Sequence, residues 1–132
     1  MMAAADGMGR AAIGPYVLVV ENDPAIRDQI RRVLEAEGLV VETAVDGWQA
    51  LARVIRRRPS LVVLGLALPR LDGEDVAAAL RMTQHPEIPI LVIGGVDGPA
   101  DKARQVGAFG YLETPLDADD LITAVRSALD HP

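Results

Sequence analysis

The run Leu61 Val62 Val63 Leu64 Gly65 is unbroken by any polar residue and leads through Leu66 Ala67 Leu68 into Pro69 Arg70 Leu71 Asp72 Gly73. A short Leu- and Val-rich run that does not alternate and is bounded by Pro and Gly suits a strand covered on both faces, as in a parallel sheet. Parallel neighbours need crossover connections, so the chain on either side has to supply helices. Ligand sites in such sheets lie beyond the carboxyl ends of the strands, which places Gly65 where chemistry would be expected.

The flanking sequence supplies this alternation. Tyr16 to Val20 reads as strand one, Glu21 Asn22 Asp23 Pro24 follows it, and Ile26, Ile30, Val33 and Leu34 recur at helical spacing up to Gly38. Asp23 is a natural N-cap, Pro24 fits the first helical position and Gly38 a left-handed C-cap. Leu39 to Ala44 reads as strand two, Asp46 Gly47 as a turn, and the next helix as one with Ala50, Leu51, Val54 and Ile55 inward. The arginines Arg56, Arg57 and Arg58 before Pro59 are explained by the helix dipole and solvation rather than by a nucleic-acid patch. After the Leu61 strand, a helix from Gly73 carries Val76, Ala79 and Leu80 and stops near Pro86. Ile88 to Ile93 reads as strand four, a short helix runs to Gly107, and Phe109 to Leu112 reads as strand five. A last helix opened by Asp117, Asp119 and Asp120 carries Leu121, Ile122, Val125 and Leu129 on one face.

Strict alternation with right-handed crossovers predicts an α/β fold of three layers, α/β/α, around a doubly wound five-stranded parallel sheet of order 2-1-3-4-5. Residues 1–14 read as a flexible N-terminal arm and 15–132 as a single domain. The glycines Gly7, Gly9 and Gly14 precede the first strand, whereas a dinucleotide loop follows one. The last helix ends just before Asp130 His131 Pro132, and a stand-alone domain is expected.

Composition closes off several functions. A net charge of −6 opposes direct binding to nucleic acid, which needs a basic face. Without cysteine there is no thiolate nucleophile or Cys-type zinc site. The two histidines, His85 and His131, fall short of a convergent ligand set. No stretch approaches the roughly eighteen apolar residues of a membrane span, and a cytoplasmic protein is the default expectation.

The segments VLVVENDPAIR (17–27), EAEGLVVETAVDG (35–47), LGLALPRLDG (64–73) and GAFGYLETPL (107–116) together resemble the receiver domain of two-component response regulators, a fold of flavodoxin-like topology. The resemblance implies a small phosphotransfer site: two acidic residues ending strand one, an acceptor aspartate ending strand three, Mg2+ between them, a hydroxyl ending strand four and a lysine ending strand five. At those positions stand Glu21, Asn22, Gly65, Gly94 and Thr114. Gly65 offers neither nucleophile nor metal ligand. Asn22 removes a charge from the Mg2+ set, and Gly94 and Thr114 remove the hydroxyl and the cation that would neutralise a phosphoryl group. A pseudo-receiver is therefore expected, a protein-interaction module and not an enzyme, with weak or absent Mg2+ binding and no other cofactor. Asp23, as a helix cap, and Asp72, beyond the turn, are not expected to replace the acceptor.

The resemblance also carries Tyr111 onto a switch-aromatic position and Thr114 Pro115 onto a cis peptide step. With Gly94 leaving room beneath the ring, Tyr111 is expected to sit inward permanently or, equally, to be an ordinary half-buried packing residue. A partner surface is implied at Asp101, Lys102, Gln105, Tyr111, Asp119 and Arg126, where mixed charges also suit a solvated face. The partner would be a protein: a histidine kinase, an output protein or a second copy. The alternative is a small-ligand-binding protein or enzyme reusing the glycine-lined pocket at Gly65, Gly94 and Gly95.

Overall fold

The computed structural model describes residues 16–68, 73–82, 88–95 and 98–130. The arm expected over 1–14, the turn residues Pro69 to Asp72, and His85 and His131 lie outside them. In chain order the elements are β1 (Tyr16–Val20), α1 (Pro24–Ala36), β2 (Val40–Ala44), α2 (Gly47–Arg56) and β3 (Leu61–Gly65). They continue as α3 (Gly73–Met82), β4 (Ile90–Gly94), α4 (Pro99–Val106), β5 (Gly110–Glu113) and α5 (Ala118–Leu129). The five strands form one sheet of order β2-β1-β3-β4-β5, and every pairing is parallel.

Side-chain alternation along the strands divides the core between the two faces. Leu18, Val20, Val62, Leu64 and Val92 pack with residues of α2, α3 and α4 on one face. Val17, Val19, Val63, Leu91 and Ile93 pack with Ile30 and Leu34 of α1 and Leu121 and Val125 of α5 on the other. The bodies of β1 and β3 are buried at every position, which is why their sequences show no polar alternation.

Local chemistry sets the strand starts. Leu39 was expected in β2, but its N–H closes the end of α1 on the Leu34 carbonyl at 3.2 Å, beside Gly38 at φ 84°, so pairing begins at Val40. Strand β4 begins two residues later than expected because Pro89 has no N–H to donate; its carbonyl accepts from Val62 N at 3.0 Å, and the ladder proper starts at Ile90. In β5, Phe109 contributes only the leading hydrogen bond, to the Ile90 carbonyl at 3.0 Å.

Two expectations on α2 are corrected. Ile55, expected inward, is 79% exposed, because Ala50 and Val54 occupy the inward stripe and position 55 falls about 100° around the helix from Val54. The arginine run does more than complement the dipole: Arg53, Arg56 and Arg57 converge on Glu42 of β2 at 3.9, 3.9 and 3.4 Å. The Arg57 guanidinium also stacks 4.0 Å above the Tyr16 ring, while the Tyr16 hydroxyl donates to the Arg57 carbonyl at 2.6 Å. Burial and the nearby Glu42 carboxylate push the Tyr16 hydroxyl above its ordinary pKa.

Candidate functional site at the strand carboxyl ends

Because β1, β3, β4 and β5 run parallel, their carboxyl ends bring Glu21, Gly65, Gly94 and Thr114 to one edge of the sheet. Register fixes the neighbours: Gly65 lies beside Ile93, and Gly94 beside Glu113. A cleft of about 420 Å³ opens there, lined by Glu21, Asp23, Gly94, Gly95, Lys102 and Thr114 among others. Gly65 itself does not line it.

The reason is Glu21. A Cβ placed on Gly65 lies 2.5 Å from Glu21 Oε1 and 3.1 Å from Glu21 Cδ. The carboxyl group thus takes the volume into which a side chain at position 65 would grow. It is anchored there by its other oxygen, which accepts from Asp23 N at 3.0 Å. Burial raises the Glu21 pKa and the neighbouring Asp23 charge adds to the rise, against the lowering effect of the backbone hydrogen bonds from Asp23 and Asn22 and of the Arg27 charge. Asp23 is committed to α1: its Oδ1 accepts from Ala25 N at 2.8 Å and Ile26 N at 3.2 Å. Arg27 clamps the same turn, donating to the Glu21 and Asn22 carbonyls at 3.0 and 3.2 Å.

Gly94 is closed in a similar way. A Cβ there lies 2.8 Å from Pro99 Cβ and 3.5 Å from Pro99 Cα, so the first residue of α4 occupies the space that the sequence left open. Of the two expectations for Tyr111, the structure gives the half-buried side chain, 45% exposed, and not the ring locked inward. Thr114 N donates to the Gly94 carbonyl at 2.9 Å, and the Thr114–Pro115 peptide is cis.

The residues expected at a partner surface separate into distinct environments. Asp101 pairs with Arg104 along α4, and Gln105 and Asp119 are exposed. Arg126 reaches across to the end of α1, donating to the Glu37 carbonyl at 3.0 Å and pairing with its carboxylate at 3.2 Å. Lys102 lines the strand-end cleft. Sequence reasoning missed both Pro99 and Lys102 as cleft residues; their spacing of three at the start of α4 was the available signal, since such positions share a helix face.

The donor set does not suit Mg2+, which demands near-octahedral oxygen coordination through one or two carboxylates. Gly65 contributes no oxygen from a side chain, Glu21 and Asp23 each use one carboxylate oxygen on backbone N–H groups, and no group of three or more His, Cys, Asp or Glu residues that could hold a metal occurs among the described residues. No helix among the described residues is long and apolar enough to cross a membrane.

This fold recurs in known proteins. Residues 17–126 match the family described as the response regulator receiver domain, and the chain belongs to that family. It is 38% identical over 115 residues to the response regulator MprA of Mycobacterium leprae, covering 86% of this chain and 50% of MprA. It is 35% identical over 118 residues to the DNA-binding dual master transcriptional regulator RpaA of Synechocystis, covering 87% of this chain and 49% of RpaA. The chain thus spans about half the length of these curated relatives. Among solved structures, the receiver domain of NtrX from Brucella abortus superposes with a TM-score of 0.82 at 37% identity, over 88% of this chain and 99% of that one. The chemotaxis protein CheY4 of Vibrio cholerae gives 0.81 at 30% identity, over 89% and 100%.

Proposed function

We propose that this receiver domain signals through protein contacts without accepting a phosphoryl group at the position where β3 ends. The observation that carries the reading is the pairing of Gly65 with the Glu21 carboxyl: no oxygen nucleophile stands at the strand end, and a neighbouring acid fills its volume. Phosphoryl transfer relies on positioned charge, so the missing cation at Thr114 and missing hydroxyl at Gly94 remove stabilisation as well as the acceptor. Mg2+ binding at this edge is weak or absent on the same donor-set argument. The partners are proteins of a two-component pathway, namely a histidine kinase, an output protein or a second copy, and neither nucleic acid nor a membrane is bound directly.

Amide NMR spectra of the chain alone, with Mg2+, and with Mg2+ plus acetyl phosphate or beryllofluoride test this reading. The expected spectra are unchanged. Shifts spreading from Glu21 and Gly94 toward Tyr111 on adding beryllofluoride would overturn it.

A further inference from the structure

Among the described residues, the exposed large hydrophobic side chains are Val40, Trp48, Ile55, Phe109 and Tyr111, and they fall at two places. Val40 lies on β2, one edge strand, and Trp48 and Ile55 lie on α2, which follows it. With a spacing of seven, Trp48 and Ile55 sit on one helix face, and Ala52 between them is exposed as well. Tyr111 belongs to β5, the opposite edge of the sheet, and Phe109 immediately precedes that strand, where period two puts them on one side together with exposed Glu113.

Charge divides along the same line. Residues 40–58 carry Arg53, Arg56, Arg57 and Arg58 against Glu42 and Asp46. Asp46 is buried as the N-cap of α2, and Glu42 alone faces three guanidiniums. The side chain of Arg56 is 71% exposed, and Arg58 is exposed. Residues 109–120 carry Glu113, Asp117, Asp119 and Asp120 and no base, all four of them exposed.

We propose that these are the two halves of a head-to-tail contact between copies of this chain, the α2 face of one docking on the β5/α5 face of the next. Each face offers aromatic or apolar anchors of the kind enriched at interface centres, rimmed by charge of one sign: Trp48 with arginines on one, Phe109 and Tyr111 with carboxylates on the other. The faces stand at opposite edges of one sheet, so they complement each other only between molecules. An isologous contact through α2 would set arginines against arginines, and one through β5/α5 would set carboxylates against carboxylates. A heterologous contact avoids both and generates open or ring-shaped assemblies. It does not depend on whether the strand-end site responds to a phosphoryl group.

Sedimentation velocity of the full chain up to about 1 mM reads the association, and fluorescence reads the interface directly because Trp48 is the single tryptophan. Mass is expected to grow with concentration, Trp48 emission to shift to the blue in step, and salt to weaken both. R56E/R58E and E113K/D119K each change exposed positions only, and circular dichroism checks their folding. Each double variant is expected to weaken self-association at least about tenfold. An equimolar mixture is expected to associate again, since each supplies the face the other lacks and the two reversed faces also complement. A wild-type chain that stays monomeric throughout overturns the proposal. So does E113K/D119K dimerising alone as wild type does, or a mixture that remains monomeric.

Discussion

The bodies of the central strands and their carboxyl ends obey different rules. Along β1, β3 and β4 each side chain from Leu18 to Val20, Leu61 to Leu64 and Ile90 to Ile93 is almost wholly removed from water. One residue further on, Glu21, Gly65 and Gly94 present one carboxyl and two bare backbones. The fold therefore rests on residues that stop just short of the site, and the sheet keeps its register independently of what stands at the strand ends. A cleft opens at this edge, but the volumes directly over Gly65 and Gly94 are not empty. Glu21 fills the volume at Gly65, and Pro99 fills that at Gly94, so the edge has been repacked around what it lacks.

The sharpest way to break this contrast is to wound a strand body. Leu64 is fully buried, one residue before Gly65, and Leu64→Ala is expected to cost about 2–5 kcal/mol. Urea unfolding followed by circular dichroism measures it. A cost below about 1 kcal/mol would mean that the body of β3 tolerates loss as its end does.

A smaller effect is expected at β4. Gly94→Ser restores the hydroxyl that the family resemblance places there, but its Cβ meets Pro99, whose ring and backbone start α4 and cannot swing aside. Overpacking of this kind costs about 1–3 kcal/mol, read by the same unfolding assay. Beryllofluoride is expected to leave the NMR spectrum of this variant unchanged, since Gly65 and Thr114 remain. A variant as stable as the wild type would show that α4 moves freely and that the Gly94 contact is not a constraint.

Much of the fold was legible because it is written in local chemistry. The caps at Asp23 and Gly38, the buried runs of β1 and β3 and the five-fold alternation lead to one topology, and β1 and β3 lie where the sequence places them. What escaped depended on contacts between segments distant in the chain. The exposure of Ile55 follows from how α2 rolls against the sheet, and the linkage of Arg126 to Glu37 spans 89 residues. At the site, the sequence displays which groups are missing but not what takes their volume. An absent side chain reads as space, and only packing reveals that Glu21 and Pro99 have closed it.

Glu21 gives the smallest and most diagnostic effect, because its placement at Gly65 leaves a trace in pH dependence. Burial raises its pKa from the ordinary 4.5, so the folded chain holds that proton more tightly than the unfolded chain does. Stability therefore falls as pH rises from about 4.5 through the raised folded value, and is flat above it. Asp28 works in the opposite sense: its hydrogen bond to Arg31 lowers its pKa, so its contribution is present above its ordinary value and lost in acid. Comparing Glu21→Gln with the wild type cancels Asp28, which is common to both. The glutamine keeps an oxygen to accept from Asp23 N but carries no charge to desolvate. Glu21→Gln is thus expected to be more stable than the wild type at pH 7, with the advantage shrinking as pH falls toward 4.5, in urea titrations at a series of pH values. A difference independent of pH would place the Glu21 carboxylate in water, away from Gly65, and would reopen the end of β3 as an empty pocket.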